Sequence, residues 1–599
     1  MIIHNLQNSI ISIYYRRYKM SVTKALPSEE KPWLKFYSDE AKNAVLPQKT
    51  IYSYVRENNK GFEQNTAINY FDNKISYGEL MDTADNCAAS FAELGVKKGD
   101  IVACCSATIP EMAMALYGLN KIGASMLTLD PRRSPAEIKE FVEDSGTDIL
   151  MLIDVAYERF ADMLNELKVN KIVVIHLSNY ASFMTRLVMK FKMPSMNIPY
   201  GDRIIDWRSF LSLGKGKETE TAAYGETDLV AIALTGGTTG APKGVMLSND
   251  GFNAIAMDFR HCGVSYTRDQ RFMDIIPAFT SYGIVASLHM PLSLGLEIVM
   301  FPKFDADKVG HYIKKYKPAH TLLVPAHYEK LMNSKEMANG FDLSFFETAG
   351  SGGDTMNAGL EAKLNSFLAQ HGCKYPLSQG YGMSEVSSAA CCCCGGHFKS
   401  LSVGYPLLTT TIGIFKPDTT EELSYGEEGE ICITGPSVMM GYFNNEEETE
   451  NVLRLHDDGQ IWVHSGDVGV LDEDGFLFIK GRIKRMITRF DGHKVFPVQL
   501  EGMLGGIKNV ESCAVVGVKD RSRAMGELPL AVIELENKLL ENETKETLKA
   551  FIESEVEERG RPCDIIFVNE MPYTGMGKVD YKKLALDYEE KIDSMTAVG

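Results

Sequence analysis

Short apolar runs alternating with helix-like stretches constrain this chain more than any other feature of its sequence. Ile101–Cys105, Ser125–Leu129, Ile149–Ile153 and Lys171–Ile175 each have strand length and carry mostly apolar residues. Helix-like stretches at 111–122 and Pro135–Asp144 lie among them. Ser134 is placed to cap the second, and Pro135 takes its first position, where a missing N–H costs nothing. Such βαβ alternation implies parallel sheets covered by helices, because parallel neighbours need a long crossover. The fold class expected is therefore α/β, with a large N-terminal domain of layered βαβ sheets. A chain of 599 residues also exceeds one compact core, so more than one domain is expected.

The tail has a different character. Residues 472–475 give a Gly- and Asp-rich hairpin signal. Beyond it, 510–518 and 528–535 have strand patterns, and 543–559 form a charged helix-like stretch. A small α+β domain over 484–599 is expected after an N-terminal domain over 21–483, with 1–20 as an extension. Residues 1–15 are fairly apolar, but Arg16, Arg17 and Lys19 follow that stretch where a secretory signal would place its charges first. Met20 is an alternative start. No apolar run reaches the roughly 18 residues of a membrane-spanning helix.

With 45% hydrophobic and 24% charged residues, the composition is that of a soluble globular protein. The net charge of −18 argues against nucleic-acid partners, which require a basic surface. It leaves nucleotides open, since loop N–H groups bind phosphate inside acidic proteins. Twelve cysteines include four in succession at 391–394. Successive side chains alternate across a strand, so that run suits small apolar packing better than one tetrahedral metal. A reduced, cytoplasmic protein is expected.

The chemistry concentrates in one segment. After the apolar run Leu229–Leu234 comes Thr235-Gly236-Gly237-Thr238-Thr239-Gly240-Ala241-Pro242-Lys243-Gly244. Glycines let the backbone approach a ligand and aim several N–H groups at it. The threonine hydroxyls and the Lys243 ammonium complete a cradle for polyphosphate. It is not a Walker A loop, because glycine follows the lysine instead of preceding it.

This loop resembles the signature of the acyl-adenylating superfamily of acyl-CoA synthetases, peptide-synthetase adenylation domains and beetle luciferases. Further segments stand in that family's order: Gly350-Ser-Gly-Gly-Asp354, Gln379-Gly-Tyr-Gly-Met-Ser-Glu385, Ser465-Gly-Asp467, Gly481-Arg-Ile-Lys-Arg-Met486 and Pro572-Tyr-Thr-Gly-Met-Gly-Lys-Val-Asp580. The resemblance implies a small β-barrel subdomain, a mobile C-terminal domain, and a set of roles. Gly352, Gly353 and Asp354 would line the adenine pocket with Gly380 and Gly382, and Tyr381 would stack on the base. Ser384 would meet phosphate, Glu385 would hold Mg²⁺ brought with ATP, and Asp467 and Arg482 would bind the ribose. Lys578 would be the adenylation lysine, Lys484 the hinge, and Gly492 part of the thiol's tunnel. Arg485 receives no role beyond a solvated charge.

The resemblance further implies two steps: acyl-AMP formation from a carboxylic acid and ATP, then transfer to CoA as cosubstrate. Amino-acid-activating relatives carry an Asp after the phosphate loop. Here Ile276-Pro-Ala-Phe-Thr-Ser-Tyr-Gly283 has none, which favours an acid without an amine and places Phe279, Tyr282 and Gly283 at the acyl pocket. Thr280 departs from the family's usual histidine. Small residues in 386–396 would leave room for an apolar tail, so a medium- or long-chain fatty acid is the expected substrate. A separate acyl carrier protein is the alternative acceptor. Arg186, Lys190 and Lys192, interleaved with apolar residues from Phe183 on, fit either a membrane-surface helix or an ordinary packed one.

Overall fold

The computed structural model describes residues 25–192, 196–235, 242–353, 356, 358–572 and 579–597. Two large sheets form the N-terminal part. One runs Gly441–Tyr442, Gly244–Ser248, Leu229–Leu234, Ser125–Leu129, Ile101–Cys105, Ile149–Ile153, Lys171–Ile175, Ile204–Asp206, and the last six of these are parallel. The other orders nine strands around a parallel centre, with Ser378–Tyr381, Thr348–Ser351, His320–Leu323, Arg271–Asp274 and Glu297–Met300 in sequence. All four expected strands fall on their residues, and nearly every residue in them is buried, as in parallel sheets with both faces covered. The helix over Pro135–Asp144 begins with a reciprocal cap between Ser134 and Glu137.

A third sheet is antiparallel: Thr411–Phe415, Gly429–Thr434, Ile461–Leu471 and Leu453–Leu455, with Leu477–Arg482 also on Ile461–Leu471. It stands where a small barrel was expected. Among the described residues its strands branch from Ile461–Leu471 and do not close into a ring. The hairpin signal at 472–475 is the turn joining two of these strands.

The C-terminal part is a separate α+β unit, with Val510–Lys519, Glu527–Leu535 and Ile565–Val568 in one sheet and their own hydrophobic core. Its helix Glu541–Glu555 stops earlier than the sequence pattern suggests. Val556 turns into extended backbone and buries its side chain in that core.

The cysteine run divides. Cys391 packs with the antiparallel sheet, while Cys392 and Cys394 join the large core and are linked to each other as a disulfide. In extended chain, side chains two apart share a face, which brings these sulphurs together. The other ten cysteines are free.

Candidate active site

Thr235, Gly352 and Glu385 follow the carboxyl ends of parallel strands in the two large sheets, the usual place for a ligand in open α/β sheets. The two sheets are tied together there. Thr128 Oγ1 donates to the Phe279 carbonyl (2.8 Å), and Ala278 N–H donates to Thr108 Oγ1 (2.9 Å).

Thr235 and Lys243, at the two ends of the phosphate-loop segment, adjoin the antiparallel strands Leu229–Leu234 and Gly244–Ser248. The base of the segment is closed by Thr235, whose N–H donates to the Lys243 carbonyl (2.9 Å) and whose Oγ1 accepts from Lys243 N–H (3.0 Å). Gly236, Gly237, Thr238, Thr239 and Gly240 lie outside the described residues, as do Asp354 and Lys578. The Lys243 ammonium pairs with Glu448 and sits 4.9 Å from the centre of the Tyr442 ring. Lys243, and then the charge of Lys484, hold the Glu448 carboxyl below the usual range.

Glu385 is buried, and its Oε1 accepts a 2.6 Å hydrogen bond from Tyr442. A single hard carboxylate next to a phosphate loop is the donor set that Mg²⁺ takes when substrate phosphate supplies further oxygens. The residues present therefore fit that ion. Ser384 Oγ accepts from Ser281 Oγ (2.9 Å), linking this loop to the segment after strand Arg271–Asp274. Immediately beyond Glu385 the chain takes positive φ at Ser387 and Ser388 and folds back on Gly382. A Cβ at Gly382 would lie 2.0 Å from the Ser388 carbonyl oxygen, so only glycine fits.

Tyr381, Asp467 and Arg482 form one cluster. Tyr381 Oη donates to Asp467 Oδ2 (2.8 Å), and Arg482 Nε lies 2.8 Å from Oδ1. Asp467 and Arg482 face each other across the antiparallel pair Ile461–Leu471 and Leu477–Arg482. Burial raises the Asp467 carboxyl above its ordinary range, against the lowering effect of Arg482 and the Tyr381 hydroxyl. Glu430, on the neighbouring strand, holds the register irregularity at Gly466 that precedes Asp467. It accepts from Gly466 N–H (3.0 Å) and pairs with His464 Nδ1 (2.8 Å). With Cys432 these two residues stand close enough to share a metal, yet the carboxylate is already engaged by the strand it supports.

The expected acyl segment is well buried. Tyr282 opens a wide π-helical turn through His289, a form common at functional sites. A Cβ on Gly352 would lie 3.3 Å from the Tyr282 hydroxyl and 3.6 Å from the Gly380 carbonyl oxygen, so the adenine-side glycines converge on this tyrosine. Gly283 presses against the Pro277 carbonyl, and Phe279 is buried beneath the Arg132 guanidinium. The segment 386–396 divides between two cores. Val386, Ala390 and Cys391 pack into the antiparallel-sheet core, and Cys392 and Cys394 into the large one.

Lys484 lies in a 3₁₀ turn, Ile483–Arg485, directly after strand Leu477–Arg482. Gly492 sits at φ +80° in the Asp491 turn, with open space where a Cβ would be. Arg485 is no solvated charge. It pairs with Glu501 (2.5 Å), which also accepts from Val515 N–H (2.8 Å), and its guanidinium lies 3.5 Å from the Tyr581 ring centre. Sequence reasoning passed over Arg485, Tyr442, Glu448 and Glu430. Two signals were available: an acidic residue within the apolar stretch at 429–434, and Asn445 capping three successive glutamates.

Two family models match this chain: AMP-binding enzyme over residues 55–443, and AMP-binding enzyme C-terminal domain over 499–578. The chain thus belongs to the AMP-binding enzyme family. Among curated relatives, the long-chain-fatty-acid–CoA ligase of Bacillus subtilis (strain 168) is 29% identical over 565 residues, covering 93% of this chain and 98% of that protein. The 4-coumarate-CoA ligase 1 of Narcissus pseudonarcissus is 28% identical over 544 residues, covering 89% and 93%. Among solved structures, the anthranilate CoA ligase AuaEII with anthranoyl-AMP superposes with a TM-score of 0.76 at 21% identity, covering 92% of this chain and 99% of that one. ATP-bound MatB from Rhodopseudomonas palustris gives 0.75 at 22% identity, covering 90% and 99%.

Proposed function

We propose that this protein is an ATP-dependent acid–thiol ligase that forms an acyl-AMP and then an acyl-CoA, with a medium- or long-chain fatty acid as substrate. The observation that carries the reading is the Tyr381–Asp467–Arg482 cluster beside Glu385 and the Lys243 loop. It combines a buried carboxylate for ribose hydroxyls, an aromatic ring for a base, and charges for a triphosphate. The acid preference rests on the Ile276–Gly283 segment, which offers no carboxylate for an amine, and on the fatty-acid ligase among the relatives.

In the first step a carboxylate oxygen of the acid bonds to the α-phosphorus of ATP, and the bond to pyrophosphate breaks. Little covalent work falls to the protein, because positioning and charge stabilisation carry such transfers. Asp467 accepts from the ribose hydroxyls, and Arg482 holds ribose and phosphate. Tyr381 supports the adenine, bordered by Gly352, Gly353, Asp354, Gly380 and Gly382. Ser384, the loop from Thr235 to Gly240, and Lys243 hold the phosphates, while Lys578 meets the reacting carboxylate and α-phosphate. Glu385 would hold the Mg²⁺ brought with ATP, which would supply positive charge for the developing pyrophosphate. In the second step the CoA sulphur bonds to the acyl carbon, AMP departs with the shared electrons, and the thiol proton goes to solvent.

Lys578 and a thiol tunnel at Gly492 need the same place at different times. Rotation of residues 484–599 about Lys484, against 21–483, separates them in time. The test is mass spectrometry of products from enzyme, Mg-ATP, CoA and a ladder of short- to long-chain and aromatic acids. Acyl-CoA with AMP release is expected, strongest for the longer aliphatic acids. A preference for aromatic acids would overturn the substrate assignment, and acyl-AMP without acyl-CoA would move the acceptor to a carrier protein. Lys578→Ala should abolish acyl-AMP formation yet leave thiol transfer from supplied acyl-AMP within roughly tenfold, the scale of a group acting in one half-reaction.

A further inference from the structure

The helix Phe183–Lys192 presents its apolar side outward. Phe183, Met184, Leu187, Val188 and Phe191 are all exposed, the two phenylalanines to 74% and 81%, and no residue of the helix is buried. At 3.6 residues per turn these five side chains cover an arc of about 140°. The seat of the helix is on the other side. Met189 packs against the large core, and Thr185, half-buried, is bonded to Ser182 Oγ (2.9 Å). Those two positions lie about 150° from the middle of the apolar arc. A surface helix ordinarily turns its apolar stripe inward, so this orientation is inverted.

The charges are arranged with equal order. Arg186 and Lys190 border the arc on one side and Lys192 on the other, and the helix has no acidic residue. The whole chain carries −18, so a negatively charged surface is repelled over most of the molecule and attracted here. Long cationic side chains beside an apolar arc reach back to headgroups while the arc enters the acyl boundary. We propose that this helix docks the protein on an anionic lipid bilayer, lying in the interfacial plane.

The place of the helix suits that role. It connects Lys171–Ile175 to Ile204–Asp206, the strand at one end of its sheet. That edge lies five strand spacings, roughly 24 Å, from Leu229–Leu234 and its phosphate loop. Docking there leaves the ATP site clear of the bilayer. The proposal stands whichever acid the enzyme takes.

Co-sedimentation of the full chain with vesicles of phosphatidylcholine and phosphatidylserine in equal parts tests it. Binding is expected, weaker by about tenfold or more on phosphatidylcholine alone and with added salt. Leu187→Glu with Phe191→Glu should abolish binding, and Arg186→Glu with Lys190→Glu should restrict it to neutral vesicles. Both pairs are exposed, and unchanged circular dichroism and ATP binding would show that the fold is kept. Binding indifferent to lipid charge, or unaltered by either double variant, would overturn the proposal. So would a dimer in buffer that Phe191→Glu dissociates, which would assign the arc to a second copy of the chain.

Discussion

The two halves of the proposed nucleotide site are built on opposite principles. On the side proposed for ribose, Asp467 is 5% exposed, bonded to Tyr381 and Arg482, and the irregularity in its strand at Gly466 is held by Glu430 from the adjacent strand. On the phosphate side, Lys243 and Glu448 form a partly exposed pair. Burial raises the Asp467 carboxyl, whereas the lysines lower Glu448. One half is a fixed mould and the other a set of charges able to exchange partners. In the proposed reaction ribose keeps its shape, but the triphosphate loses pyrophosphate. A fixed site suits the first and exchangeable ion pairs the second.

Asp467→Ala should break the fixed half outright. It removes the ribose acceptor and leaves Tyr381 and Arg482 without their partner, so kcat/KM for ATP should fall by roughly a thousandfold or more, as for a lost buried hydrogen-bonding group at a reacting site. ATP–pyrophosphate exchange measures this, and a loss below tenfold would refute the ribose assignment.

Arg485→Ala acts at the joint between the domains. It breaks a largely buried pair with Glu501 and uncovers the Tyr581 ring. A loss of about 2–4 kcal/mol from the C-terminal unit is expected, seen as an early unfolding step in calorimetry while the N-terminal transition stays in place.

The pH dependence sharpens the comparison. Asp467 works as the carboxylate, and its raised pKa moves the acid limb of kcat/KM for ATP above the usual carboxylate range. Arg482 favours the charged form, so Arg482→Gln should move that limb to still higher pH. For stability the sign is the usual one for a raised acid: the contribution is present below the unfolded-state pKa and lost as pH rises through the folded one. Movement of the limb to lower pH would contradict the burial account.

Glu448→Gln should have the smallest effect. The pair with Lys243 is partly exposed, and such pairs contribute about 0–1 kcal/mol. Thermal stability should stay within about 2 °C, and KM for ATP should change less than about fivefold, the rate equivalent of that energy. A large rise in KM would show that Glu448 takes part in phosphate binding.

Much of this was legible along the chain. The parallel strands, the Ser134 cap and the hairpin at 472–475 are local events, set by residues a few positions apart. The Gly- and Thr-rich segment at 235–244 and the Ser465–Asp467 motif could also be picked out along the chain, since each is contiguous. What the sequence alone determined was the class of fold and which reactive side chains each segment offers. The tertiary structure decided which segments meet. Tyr381 and Asp467 are 86 positions apart, and Lys243 and Glu448 are 205 apart. It also turned Arg485 inward, packed the small residues of 386–396 into two cores, and faced the apolar arc of Phe183–Lys192 outward. Periodicity records that a stripe exists, but what lies opposite it is settled only when distant strands pair and the core closes.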